Sequence, residues 1–459
     1  MCGIVGIYNH PEASNLAYLC MYALQHRGQE CAGIVASDGK TFHQHRQMGL
    51  VGDVFTKNLL GKLPGDKAIG HVRYSTSGES DIKNAYPFVI KYAHGWLAVS
   101  HNGNLTNYKN MRAQLEEEGS IFQATVDSEV VMHLIAKGGK AELEVRIAEA
   151  LKKIHGSYSF VFLTETRMIA ARDPKGFRPL VLGRLDGGYI VASETCALDL
   201  IDAEFIREVE PGEVIIFDES GMRSVFPFGK NGKRAHCIFE YIYFARPDSF
   251  IFGRNVYEIR KGFGEQLARE HPVDADVVVP VPDSGVPAAI GYSHESGIPF
   301  EMGMIRNHYV GRTFIEPRSE IRHFGVKIKL NPLREGLRGK RVVCVDDSIV
   351  RGTTSVKIVK MLKEAGAKEV HMRISSPPTV WPCFYGINTP TREELVANKM
   401  PLEEIRKFID ADSLKYLSQD GLYQFAKLSS KEWFCDACFT GDYPEPLDDA
   451  PDIWKLSQK

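Results

Sequence analysis

The chain has 459 residues, 44% hydrophobic and 25% charged, with a formal net charge of −2. That length predicts about two to three domains with ample core. The near-neutral charge gives no electrostatic drive toward nucleic acid or an anionic membrane, so neither is expected as a partner and any anionic ligand must be held by local groups. No run approaches the ~20 apolar residues of a membrane span, and the first residues lack the basic-then-apolar layout of a secretory signal, which predicts a cytoplasmic protein. Nine cysteines in so long a chain do not suggest a disulfide scaffold. Cys20, Cys31, Cys196 and Cys344 lie in apolar or helical surroundings and read as packing residues.

The chain opens Met1-Cys2-Gly3-Ile4-Val5-Gly6. Removal of Met1 would make Cys2 a thiol nucleophile and a free amine at once. An α-amino group titrates near ~7.7–8.0, so it can take the thiol proton at neutral pH without a histidine. No cleaved pro-segment is needed, since Cys2 stands beside the start. Strands are predicted over 3–8, 33–37, 68–73, 97–102, 158–164 and 189–192, with helices over 16–25, 107–118 and 128–136, a pattern of helices packed on sheets. Pro227-Phe228-Gly229-Lys230-Asn231-Gly232-Lys233 reads as a linker, placing a boundary at 229. Beyond it come a strand over 277–281 with a Pro/Gly turn and helix, and a strand over 341–345 with Asp346-Asp347 and a helix over 355–365. Runs such as Val277-Val278-Val279 fit strands buried on both faces of a parallel sheet, where ligands bind at the carboxyl ends of the strands. From about 388 the chain reads as helical and charged, ending in a Pro/Asp-rich tail that wraps or frays.

Three clusters could surround Cys2. His71-Val72-Arg73-Tyr74-Ser75-Thr76 ends a strand in an arginine that could hold a substrate carboxylate. His101-Asn102-Gly103-Asn104-Leu105 sets a side-chain amide beside a glycine N–H, the equipment for an oxyanion. Thr125-Val126-Asp127-Ser128-Glu129 starts a helix with an acid suited to an α-ammonium group. Singly, Asp127 is equally an N-cap, Arg73 a surface ion pair and Asn102-Gly103 a hairpin turn. Together with Cys2 and Gln25-His26-Arg27-Gly28-Gln29-Glu30, in this order, they resemble the amino-terminal-nucleophile glutamine amidotransferase domain. The resemblance implies a four-layer αββα fold over 2–229. It also implies that Cys2 attacks the glutamine amide, Asn102 and the Gly103 N–H stabilise the oxyanion, and Arg73 and Asp127 grip the amino-acid end. Residues after Arg73, to about Pro87, could form a lid.

Val342-Val343-Cys344-Val345-Asp346-Asp347-Ser348-Ile349-Val350-Arg351-Gly352-Thr353-Thr354 is an apolar strand, two acids, then a Gly/Thr loop opening a helix. Such a loop offers N–H groups and hydroxyls to a phosphate, and the acid pair suits ribose hydroxyls or hydrated Mg²⁺. The segment looks like the phosphoribosylpyrophosphate signature of type I phosphoribosyltransferases. The implied ligands of that substrate are Asp346, Asp347, Ser348, Arg351, Gly352, Thr353, Thr354 and Lys327. Pro280-Val281-Pro282-Asp283-Ser284-Gly285-Val286-Pro287 resembles the family's pyrophosphate loop, with Ser284, Asp346 and Asp347 near Mg²⁺. The cationic stretch 312–334, with Arg312, Arg318, Arg322, Lys327, Lys329 and Arg334, reads either as a solvated loop or as one that closes over pyrophosphate.

The order of the halves resembles the glutamine phosphoribosylpyrophosphate amidotransferase family, with a transferase core over 235–388 and a helical extension over 389–459. The implied reaction is a glycosyltransferase step in which ammonia released from glutamine displaces pyrophosphate from C1 of 5-phosphoribosyl 1-pyrophosphate to give 5-phosphoribosylamine. The ammonia would cross between sites through an internal channel. Another glutamine-dependent transferase, or a nucleotide sensor on the same fold, are the alternatives. Cys237, Cys383, Cys435 and Cys438 match the branch of the family that carries a [4Fe–4S] cluster, although by ligand type four thiolates equally suit Zn²⁺. Such a cluster is expected far from both reaction centres, as a staple joining the tail to the transferase domain. The family also implies purine nucleotides as feedback inhibitors and a homotetramer.

Overall fold

The structure is a computed structural model and describes residues 1–74, 80–230, 232–307, 330–389, 391–425 and 431–449. The first half contributes β1 (Gly3–Tyr8), β2 (Cys31–Ser37), β3 (Phe42–Met48), β4 (Lys67–Arg73), β5 (Phe88–Tyr92), β6 (Gly95–Leu105), β7 (Gly156–Leu163), β8 (Met168–Arg172), β9 (Val181–Leu185), β10 (Gly188–Ala192), β11 (Glu204–Glu208), β12 (Val214–Asp218) and β13 (Gly221–Val225). They form a seven-stranded sheet in the order β11-β9-β10-β1-β4-β2-β3 and a six-stranded sheet in the order β13-β12-β8-β7-β6-β5. Successive side chains point to opposite faces of a strand, and both faces here are covered. Ile4, Val35 and Ile69 meet Ala98, Val161 and Ile215 between the sheets. Val5 and Ile7 pack outward against α1 (Ala13–Ala23). Leu97, Val99 and Phe160 pack against α2 (Tyr108–Glu117), α3 (Glu129–Lys137) and α4 (Leu143–Leu151). This is the expected αββα layering.

The second half centres on four parallel strands in the order β14 (Val277–Pro280), β15 (Arg341–Asp346), β16 (Glu369–Ile374) and β17 (Ser413–Tyr416). Val278, Val343 and Val345 face α5 (Val256–Glu270) and α6 (Val286–Ser296). Val277, Val279, Val342 and Cys344 face α7 (Thr353–Glu364). Burial on both faces explains the unbroken valine runs.

The expected extension from 389 differs from what is observed. Its strand β17 completes the transferase sheet, with Leu414 and Tyr416 turned into the core, so the sheet runs past the boundary at 388. Farther on, 434–435 pairs in parallel with 236–237. The chain then crosses to the glutaminase layers, where Asp449 accepts hydrogen bonds from the Lys109 and Asn110 N–H groups at the start of α2, at 2.8 and 3.3 Å. An acid there satisfies N–H groups that have no partner within the helix. Among the described residues no helix is long and apolar enough to cross a membrane.

Candidate active sites

Cys2 immediately precedes the buried strand β1, with only 8% of its surface exposed. Its N–H donates to Asn102 Oδ1 at 3.2 Å, its Sγ lies 3.5 Å from the Tyr74 carbonyl, and its own carbonyl accepts from Arg27 Nε at 3.0 Å. Asn102 Nδ2 is buried without a partner among the described residues. A buried amide donor left unpaired is costly, and beside a thiol it is placed for a developing oxyanion. Gly103 cannot carry a side chain, because a Cβ there would lie 2.0 Å from the Ser157 carbonyl oxygen. The Met1 amine is buried too, which lowers its pKa to about 5.

The strand register puts Gly3 opposite Val72 and Val72 opposite Ala32, so Cys2, Arg73 and Cys31 form a row across the sheet. Arg73 is 2% exposed and pairs with Glu30 at 3.2 Å. Asp127 accepts from the Leu105 and Ser128 N–H groups, each at 2.9 Å, with His101 Nδ1 3.4 Å away. Burial alone would raise its pKa, but His101 and these N–H donors outweigh burial and hold it below the ordinary value. Asp127 is therefore a buried carboxylate at neutral pH.

Tyr86 was not singled out by sequence, yet it joins these groups. Its hydroxyl contacts Ser128 Oγ at 2.6 Å. Its pKa is raised by burial first and then by Asp127, with Cys2 and Arg73 also in electrostatic reach. Ser75 and Thr76, and with them much of the expected lid, lie outside the described residues.

Arg27 is the other residue whose role the motif alone hid. Its guanidinium is fully buried and grips Glu240 of the second half at 2.8 and 3.0 Å, with Glu194 on the same nitrogen as the longer of these bonds. Burial would lower its pKa, but Glu240 and Glu194 reverse that and raise it. Glu194 is pushed up by burial and pulled lower overall by His26, Arg27 and Ser249. The Arg27 pairs span 167 and 213 positions of sequence, so no local pattern could announce them.

At the transferase site Asp346 and Asp347 are 7% and 6% exposed at the carboxyl end of β15. The Asp347 N–H donates to Asp346 Oδ1 at 2.9 Å, and Ser348 Oγ donates to Asp347. Burial first, then the charge of Asp347, raises the Asp346 pKa well above the ordinary range. Asp347 is raised by burial against the opposing effects of Ser284, Ser348 and Arg260. Ser284 thus reaches the acid pair, uniting the three expected Mg²⁺ ligands. Gly352 adopts φ +77° where α7 begins, and no side chain caps that helix, so its first N–H groups are open to a phosphate. Ser348 and Gly352 lie on the loop between β15 and α7, and Thr353 and Thr354 open α7. Arg351 instead points to Glu394 at 3.4 Å on the surface. Lys327 and the cationic loop residues Arg312, Arg318, Arg322 and Lys329 lie outside the described residues. Arg334 starts a short helix, Arg334–Leu337.

Two groups lie within electrostatic reach of the acid pair. Tyr243 is about half exposed, 48%, yet the packing around its hydroxyl, then Asp347, Asp346 and Tyr74, raise its pKa to about 12. It therefore lies in reach of both the acid pair and the residue whose carbonyl meets the Cys2 thiol. Arg260, missed by sequence, is lowered to about 10 by burial despite Asp347 nearby.

Cys237 stands opposite Cys435 in the parallel pair, and the Val380 and Trp381 N–H groups donate to the Cys438 carbonyl. Burial raises the Cys237 thiol to about 11 and the Cys435 and Cys438 thiols well above their ordinary range; Cys383 adds to all three, Cys237 to Cys435 and Cys438, and Cys435 to Cys438. Three buried thiols whose ionisation burial opposes, with Cys383 beside them, form a locus that a cation would stabilise. Among the described residues no group of three or more His, Cys, Asp or Glu side chains converges to hold a single metal ion. By ligand type the four thiolates suit a zinc ion or an iron–sulfur cluster alike. Distance from the reaction centres is not what is observed. Phe384 and Tyr385, next to Cys383, accept from Asn104 Nδ2 at 2.9 Å and Ser157 Oγ at 2.7 Å, and Gly386 lies against Gly103.

Comparison with known proteins gives a consistent result. Residues 71–200 match a glutamine amidotransferase domain and 254–375 a phosphoribosyl transferase domain. Amidophosphoribosyltransferase 1, chloroplastic, of Arabidopsis thaliana is 58% identical over 445 residues, covering 96% of this chain and 78% of that protein. Amidophosphoribosyltransferase of Bacillus subtilis is 51% identical over 450 residues, covering 97% and 94%. The solved glutamine phosphoribosylpyrophosphate amidotransferase from B. subtilis, complexed with ADP and GMP, superposes with a TM-score of 0.92 at 50% identity, covering 97% of this chain and 98% of that one.

Proposed function

Because the chain belongs to the amidophosphoribosyltransferase family, we propose a division of labour among its residues for the family reaction. The enzyme hydrolyses glutamine and transfers the nitrogen to C1 of 5-phosphoribosyl 1-pyrophosphate, releasing pyrophosphate and forming 5-phosphoribosylamine. Once Met1 is removed, the Cys2 amine takes the thiol proton and Sγ attacks the glutamine amide. Asn102 Nδ2 and the Gly103 N–H hold the oxyanion, while Arg73 and Asp127 hold the α-carboxylate and α-ammonium. Ammonia leaves first, and water then frees glutamate from the thioester. The observation that carries this reading is Asn102, whose Oδ1 fixes the Cys2 N–H while its buried Nδ2 stays unpaired.

The ammonia passes Tyr74 and Tyr243 to the ribose held at Asp346 and Asp347, with the 5-phosphate on the Ser348–Thr354 loop. Mg²⁺ at Asp346, Asp347 and Ser284 would screen the departing pyrophosphate, a role for which hard oxygen donors and substrate phosphates suit it. Pyrophosphate leaves as the C1–N bond forms, inverting C1. Cys237, Cys383, Cys435 and Cys438 would hold a [4Fe–4S] cluster with a structural role. Purine nucleotides as inhibitors find support in the ADP and GMP complex of the B. subtilis relative; a homotetramer is the assembly we propose. A cytoplasmic setting is supported by nine cysteines, none of them in a disulfide, although the plant relatives are chloroplastic.

Cys2→Ala tests the division. It should abolish glutamine-dependent pyrophosphate release and leave ammonia-dependent release within about twofold, since activation of the nucleophile belongs to one site alone. Loss of both activities in a folded variant would overturn it.

A further inference from the structure

Just past the end of β10, Ser193-Glu194-Thr195 ties the strand that follows Cys2 to the second half of the chain. The Ile4 N–H donates to Ser193 Oγ at 3.0 Å, and the Ser193 N–H returns to the Ile4 carbonyl at 3.1 Å. Thr195 Oγ1 accepts from the Phe250 N–H at 2.8 Å. Between them Glu194 is fully buried, and the strong donors to its two oxygens come from different halves. Oε1 meets His26 Nε2 at 2.8 Å and Arg27 Nη1. Oε2 accepts from the Arg246 N–H at 2.8 Å and from Ser249 Oγ at 2.6 Å, with the weak donor Cys196 Sγ at 3.8 Å. Arg27 in turn donates from Nε to the Cys2 carbonyl.

A carboxylate has about four acceptor sites, and these strong donors fill them. A buried carboxylate is tolerated only while its donors stay in place, and pulling either side away would strand a buried polar group. The charge makes each bond stronger than a neutral contact, so Glu194 resists displacement of one half against the other. The turn that it holds is itself anchored on α5. The Val256 and Tyr257 N–H groups donate to the Ser249 and Pro247 carbonyls at 3.0 and 2.9 Å, and Arg260 Nη2 donates to the Ala245 carbonyl at 2.7 Å.

We propose that Glu194 is a positioning residue for glutamine hydrolysis, holding Arg27 on the Cys2 carbonyl with one oxygen and fixing that grip to the 246–250 turn of the transferase half with the other. The inference rests on the assignment of Cys2 as nucleophile. Glu194 is none of the groups assigned to glutamine, so its loss should displace the nucleophile and leave the Arg73 and Asp127 grips.

Glutamine-dependent and ammonia-dependent pyrophosphate release, with glutamate release, are measured on full-chain parent, Glu194→Gln and Ser249→Ala. Glu194→Gln keeps the shape but sets an NH₂ against one pair of donors, which releases one half. Its glutamine-dependent kcat should fall at least about tenfold, with the KM for glutamine and the ammonia-dependent rate within about twofold, the signature of a misplaced reacting group. Ser249→Ala leaves the Arg27 side intact and removes one donor on the transferase side. Its glutamine-dependent kcat should fall about threefold with the same split, and it carries the test if Glu194→Gln fails to fold. A ratio of the two rates equal to the parent's in either folded variant would overturn the proposal, as would a loss that appears in the KM for glutamine instead of kcat. A parent that releases no glutamate would instead overturn the assignment of Cys2.

Discussion

Asn102 divides its amide between two tasks. Its oxygen accepts from the Cys2 N–H, and its nitrogen, buried without a partner among the described residues, is the donor proposed for the oxyanion. Asn102→Asp keeps the acceptor and removes the donor, so glutamine-dependent kcat should fall by about 10²–10³ with ammonia-dependent turnover preserved; equal loss of both would refute the assignment. The acid pair of the transferase site makes a second prediction, on pH. Asp346 and Asp347 have folded-state pKa values raised above the unfolded value, which for aspartate is about 3.9. Their contribution to stability is therefore present below about pH 3.9 and is lost as pH rises through the folded values, where a neutral pair becomes two buried charges. Bound Mg²⁺ with substrate should offset this, so the rise in Tm on adding both should grow with pH across that interval. In Asp346→Asn the growth should shrink markedly; an unchanged pH dependence would show that the pair is not the ligand site. These residues were legible because each sits in a local motif whose chemistry is written in neighbouring positions. Tyr86 was not, since its place beside Ser128 comes from the fold and not from a local motif.

Arg27 and Glu240 show why elements are harder to place than motifs. An arginine in Gln25-His26-Arg27-Gly28 and a glutamate before Tyr241 look like ordinary charges, and only the fold reveals a buried bidentate pair joining the halves. Glu240 begins the segment Glu240–Phe244, which carries Tyr243, and Arg260 donates to the Tyr241 carbonyl at 2.6 Å. The Arg27 pair thus links the carbonyl of Cys2 to the scaffold around Asp347. Breaking one side of such a buried pair costs about 3–5 kcal/mol, although Glu194 and Arg178 can absorb part of that. Glu240→Gln should lower Tm and loosen the junction, so that more glutamate is released per pyrophosphate than in the parent enzyme. A stoichiometry equal to the parent's, measured on one sample, would make the pair purely structural. Strand β17 escaped the sequence reading for a related reason. Ser413-Leu414-Lys415-Tyr416 is four residues long and lies between charged helical stretches, and only the neighbouring strand β16 makes it extended.

At the scale of the whole molecule the four cysteines lie where the halves meet. The 236–237 segment leads out of the linker, 434–435 returns from the far end of the chain, and Cys383 precedes residues that hold Asn104, Ser157 and Arg178. Arg178 donates to the Tyr385 carbonyl from Nε at 3.0 Å and reaches Glu240 at 3.4 Å. A group binding all four thiols would brace the strand that carries Asn102 and Gly103 as well as closing the C-terminal segment. Its loss should therefore harm glutamine use before it harms ribose chemistry. Cys435→Ser should lower Tm and reduce glutamine-dependent turnover several-fold more than ammonia-dependent turnover, because a shift of about 1 Å in an oxyanion site can cost ~10²-fold. On the proposed [4Fe–4S] assignment, iron and sulfide content should fall in parallel with the glutamine-dependent rate. A variant lacking the metal but keeping the parent ratio of the two activities would show that the cysteines staple the fold without supporting the glutaminase strand.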